Sequence, residues 1–115
     1  MDERLQKALS FSNYQYTLSN QRRVLREKLD SSLLYGYNSG IFVVNESLIS
    51  FVRLLVDSGR THLPILDSNR NPILIENTEE FLEKILDVYY SAVLDYYNEY
   101  EKIKKNRTVE KLIDL

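Results

Sequence analysis

The chain has 115 residues, enough for one domain with its own core, and its 43% hydrophobic and 28% charged residues are ordinary for a folded globular protein. It has no cysteine, which excludes disulfides, thiolate metal sites and cysteine nucleophiles, and a single histidine, which excludes a site needing two imidazoles from one chain. A net charge of −2 argues against electrostatic binding of nucleic acid by the chain as a whole. The N-terminus lacks the apolar run of a signal peptide, and no apolar stretch approaches the ~18 residues of a membrane span.

Three glycines and two prolines are few, and they cluster between Gly36 and Pro72. They divide the chain into a long helix over 2–35, a β-α-β-β insert over 36–77, a long helix over 78–107 and a tail over 108–115. In the first helix Phe11, Tyr14, Leu18, Leu25, Leu29 and Leu33 recur at helical spacing, opposite Lys7, Gln15, Arg22, Arg26 and Asp30. The Ser, Asn and Thr residues between Phe11 and Asn20 leave room for a kink.

Gly36 to Gly40 reads as a stop, with Gly36 as a left-handed cap, and Ile41 to Val44 reads as a short strand. Asn45 is suited to cap a helix carrying Leu48, Ile49, Val52, Leu55 and Val56 on one stripe, which Gly59 ends. Phe51 and Leu54 widen that stripe, so this helix is expected to be buried on more than one side. Leu63 to Leu66 and Pro72 to Ile75 flank the turn-rich Asp67 to Asn71 and predict a hairpin, with Pro64 on an edge strand.

Asn77 or Thr78 is expected to cap the last helix, with Glu79, Glu80 and Glu83 at its positive end and Lys102, Lys104, Lys105 and Arg107 at the other. The fold class is therefore α+β and helix-dominated. Two long antiparallel amphipathic helices enclose a small three-stranded sheet and a short helix, in the order α-β-α-β-β-α.

Nine tyrosines are the oddest feature, five of them packed between Tyr89 and Tyr100. With Val93, the residues Tyr89, Tyr90, Tyr96, Tyr97 and Tyr100 cover more of the helix than one partner can bury. Tyrosine pairs an apolar ring with a polar tip, which suits an interface. The competing readings are packing on the first helix with hydroxyls in water, or a base-stacking platform, against which Asp95, Glu99 and Glu101 repel phosphate. Arg22, Arg23, Arg26 and Lys28 form a basic patch, either a solvated or ion-paired helix face or a contact for nucleic acid or an acidic protein surface. The tail Leu112, Ile113, Asp114, Leu115 is short, apolar and acidic, and would either pack back on the domain or dock in a partner's groove. Glu79, Glu80, Glu83 and Asp87 suggest a favourable first turn more than a carboxylate site, and His62 has no evident catalytic partner. No catalytic, cofactor or metal site is expected, and the chain reads as a non-enzyme.

The segment GIFVVNESLISFVRLL, from Gly40 to Leu55, followed by ILDSNRNPILIE, from Ile65 to Glu76, resembles small uncharacterised proteins encoded by T4-type tailed phages, particularly those infecting marine cyanobacteria. The resemblance implies a phage setting, in the host cytoplasm or the virion. Small non-enzymatic proteins there serve as virion components, assembly factors or modulators of host machinery. The expected function is a structural or assembly protein that self-associates through protein–protein contacts. The alternative is a regulatory adaptor that binds transcription or replication machinery through the basic face or the tail.

Overall fold

The computed structural model describes the backbone of residues 2–113 and the side chains of residues 2–105. The elements are α1 (Glu3–Ser32), β1 (Leu34–Tyr37), β2 (Gly40–Val43), α2 (Glu46–Asp57), β3 (Leu63–Leu66), β4 (Pro72–Ile75) and α3 (Thr78–Ile113). The chain is helix-dominated α+β, but its order is α-β-β-α-β-β-α, and the expected three-stranded sheet is two separate two-stranded antiparallel sheets. Two compact units divide the residues. One joins α1 up to Lys28 with α3 from Asp95 on, and the other is Leu29–Leu94.

In the helical unit, Leu18 and Leu25 are buried and lie seven residues apart on one face of α1, with Tyr14 and Arg22 half-buried beside them. Phe11, expected on that stripe, is exposed. The helix α3 runs unbroken through Ile113, so Lys102, Lys104, Lys105 and Arg107 lie within it and not at its end.

The second unit holds the main core. Helix α1 stops at Ser32, three residues before the expected end, because Leu34 to Tyr37 switch from helical to two-residue periodicity. Tyr35 and Tyr37 turn inward while Leu34 and Gly36 face out. Gly36 is thus a strand residue pairing with Ile41, and not a left-handed cap. The left-handed residues are Asn38 and Ser39, at φ 50° and 70°, and they make the two-residue turn that joins Tyr37 to Gly40. Positive φ at both turn positions matches the right-handed twist of a hairpin.

Helix α2 begins where Asn45 accepts the Leu48 N–H at 2.8 Å. It ends in a paired closure, Gly59 N–H to Val56 O and Arg60 N–H to Leu55 O, with Gly59 at φ 78°. Val52 and Leu55 are buried, but Phe51 and Leu54 are exposed, so α2 is covered on one side only. The hairpin of β3 and β4 pairs Leu63 with Ile75 and Leu66 with Pro72. With only two strands in each sheet every strand is an edge, which accommodates Pro64. Helix α3 is capped by Asn77, whose side chain accepts the N–H groups of Glu79 and Glu80. The buried Thr78 hydroxyl donates to Arg60 O at 2.7 Å.

Both hairpins point one face into a single core. Phe42, Val44, Ile65, Ile73 and Ile75 meet Val52 and Leu55 of α2 and Phe81, Leu82 and Ile85 of α3. Phe81 sits among rings: Phe42 at 5.2 Å and Tyr37 at 5.3 Å, both edge-on, and Tyr35 at 6.0 Å.

Asp67 ties the two hairpins together. Its Oδ1 accepts the N–H groups of Asn69 and Asn71, and its Oδ2 accepts the N–H of Ile41 in β2 at 3.2 Å. The Asn71 N–H, and after it those of Ile41 and Asn69, hold the carboxyl below its ordinary range, while partial burial pulls the other way. A pKa depressed by folding contributes stability that is complete above the unfolded-chain value and is lost as pH falls through the folded one. Acidification below about pH 4 is therefore expected to destabilise the wild type more steeply than Asp67→Asn, whose amide does not ionise. Urea midpoints measured from pH 7 down to about pH 2.5 check this, and parallel curves would remove Asp67 as the acid-sensitive tie.

Candidate protein interface

The tyrosine-rich stretch lies on α3, where the backbone turns about 100° per residue. That rotation puts Tyr90, Val93, Tyr97 and Tyr100 on one face and swings Tyr89 and Tyr96 to its margin. The exposures follow: Tyr90 is 68% and Tyr97 57% exposed, with Tyr100 and Val93 less so. Tyr89 and Tyr96 are half-buried. Leu94, not among the six expected residues, is 58% exposed and stands four residues from Tyr90 and three from Tyr97. The same spacing rule that found Tyr97 would have found it.

The two marginal tyrosines have partners. Tyr89 packs against the core, and its hydroxyl donates to Glu46 Oε1 at 3.0 Å, linking α3 to the first turn of α2. That hydrogen bond to a carboxylate, followed by burial, raises the Tyr89 pKa above the usual phenol value, so its hydroxyl is a donor at every physiological pH. Its ring also meets that of Tyr90 edge-on at 6.0 Å. Tyr96 tilts against Tyr100 at 6.2 Å. The predicted set of six therefore divides into Tyr90, Val93, Tyr97 and Tyr100, which face outward, and Tyr89 and Tyr96, which are held.

The basic residues of α1 make their hydrogen bonds largely within their own helix. Arg23 pairs with Glu27 at 2.8 Å and donates to Asn20 at 2.7 Å on its own helix. Arg26 donates from Nε to the Arg22 carbonyl at 3.4 Å. Arg22 is half-buried beside Tyr100, Ile103 and Lys104 around a cleft of about 100 Å³, and its enclosed Nε makes no hydrogen bond among the described residues. The side chains of Leu112 and Ile113, and Leu115 altogether, lie outside the described residues.

His62 is exposed, with Nδ1 at 3.4 Å from the Glu76 carbonyl. Glu79 and Glu80 serve the start of α3. Among the described residues no group of three or more His, Cys, Asp or Glu is placed to hold a metal ion, and no helix is long and apolar enough to cross a membrane.

Comparison with protein-family models, with curated proteins and with solved structures finds no match to this chain.

Proposed function

We propose that the chain is a non-enzymatic structural or assembly protein that works by protein–protein contact and self-associates, in the phage setting its resemblance implies. The observation that carries the protein-contact part of this reading is the stripe of α3, where Tyr90, Leu94 and Tyr97 stand more than half exposed at helical spacing. Large aromatic and aliphatic side chains gathered on one helix face are what a protein partner covers, and monomers rarely leave wide apolar patches open. The reading also takes α1 and α3 as an antiparallel pair, with Arg22 of α1 beside Tyr100, Ile103 and Lys104 of α3.

The test is the solution mass of the full chain by size-exclusion chromatography with light scattering over a concentration series. A mass above the 13.6 kDa of one chain, held on dilution, is the expected result. A monomer at every concentration overturns the self-associating reading.

A further inference from the structure

Each hairpin turns a second, outer face away from the core, and by alternation that face carries Leu34, Gly36, Ile41 and Val43 on the first and Pro64, Leu66, Pro72 and Leu74 on the second. None of these eight positions is charged. A half-solvated antiparallel face ordinarily alternates apolar inward with polar outward, so apolar residues on both faces are a departure that needs a reason.

The two faces are joined. Ile41 donates its N–H to Asp67 Oδ2, and its carbonyl accepts both the backbone N–H and the hydroxyl of Ser68, at 2.9 and 2.8 Å. Asn38 in the first turn donates to the Leu74 carbonyl at 3.1 Å. These bonds hold β2 against the end of β3, and the first turn against β4. Ile41, Leu66 and Leu74 are thus neighbours on one surface. At its far end Leu34 and Val43 border a shallow hollow of about 300 Å³, lined also by Leu33, Ser31 and Asp30.

We infer that this hairpin surface is the contact by which two copies of the chain pair about a twofold axis. The inference rests on the self-association proposed above and names its surface. Two observations select a second copy as the occupant. The first is area. Leu34, Ile41, Val43, Leu66 and Leu74 are 42–55% exposed, which makes roughly 450 Å² of aliphatic surface, the size of a monomer's largest apolar patch, which is often functional. It is also a little over half of the ~800 Å² per partner in a standard interface, which is the apolar share of an ordinary protein–protein contact. The second is charge. A twofold contact sets a patch against itself, so any charge near the axis meets its like; the eight outer positions carry none, and Asp30 stands only at the far end of the surface.

Light-scattering masses of the full chain and of three variants test this: Leu66→Asp and Ile41→Lys on the two hairpins, and Tyr97→Asp on α3. All three sites are exposed, and circular dichroism with a thermal melt confirms folding. A wild-type dimer whose dissociation constant rises at least about tenfold in each hairpin variant, and is unchanged in Tyr97→Asp, is the expected result. A dimer broken only by Tyr97→Asp, or surviving every variant, overturns the inference while self-association stands. A wild-type monomer overturns both. Should one hairpin variant fail to fold, the other decides, since the two lie on different hairpins.

Discussion

Phe81→Ala is expected to lower the stability of the Leu29–Leu94 unit by about 3–5 kcal/mol, the usual range for emptying a buried aromatic site. Phe81 is 2% exposed, and three rings close on it. Phe42 and Tyr37 meet it edge-on, and such pairs contribute about 0.5–1.5 kcal/mol each beyond the area they bury. The neighbours cannot collapse into the vacancy easily. Tyr35 and Tyr37 are anchored in β1, and Tyr37 accepts the Glu76 N–H through its hydroxyl at 3.3 Å. Against a total of about 5–15 kcal/mol for a small domain, such a loss removes about a fifth of the margin or more. A melt should fall by roughly 15–30 °C, with Phe81→Leu falling less because it leaves a smaller cavity. A drop under about 5 °C would mean that Phe81 is not the centre of this core.

The parts of the fold that could be read in advance are those where two signals coincide. Helix α2 has an apolar stripe at helical spacing, a side-chain cap at Asn45 and a left-handed exit at Gly59, and all three are present. The second hairpin has two short apolar runs about a turn where Asp67 bonds its own backbone neighbours. The first hairpin was hidden because Leu29 and Leu33 carry the helical stripe of α1 up to the strand, and the alternation that marks β1 lasts only four residues. Its turn gave no strong signal either. Hairpins of this kind favour Asn-Gly, but here Ser39 takes the left-handed second position and the glycine follows it.

The candidate surface was legible to a similar degree. Spacing alone places Tyr90, Val93, Tyr97 and Tyr100 together. It cannot tell that Tyr89 is held by Glu46, because that carboxylate lies on another helix, 43 positions away. The hairpin surface was not legible at all. A helix read to Tyr35 and a stop read from Gly36 leave Leu34 and Gly36 with no partner strand, so the outer residues of the two hairpins cannot be recognised as one face.

Gly40 is where that hidden hairpin meets the second one most tightly. A Cβ there would stand 2.5 Å from Cγ1 and 2.8 Å from Cδ1 of Ile73, and 3.3 Å from Asp67 Oδ2. The φ of Gly40 is not positive, so the glycine is required by close approach and not by backbone conformation. The two causes predict opposite signs. A glycine free of both constraints gains about 0.4–1 kcal/mol on replacement by alanine, through lost freedom in the unfolded chain. Overpacking a core instead costs about 1–3 kcal/mol. Ile73 is buried among Phe42, Ile65 and Ile75 and has little room to retreat, so Gly40→Ala is expected to destabilise by the overpacking amount. Gly36→Ala is the internal control. Its Cβ would meet only the Gly40 carbonyl, at 3.9 Å, so its urea midpoint should hold or rise. The decisive measurement is the cycle with Ile73→Ala. Removing both crowding carbons should let the new methyl occupy their space, so Gly40→Ala costs almost nothing in that background, a coupling of about 1–2 kcal/mol. Additive losses would show that the clash lies elsewhere, and a stabilised single variant would show that β2 and β4 stand further apart than this contact requires.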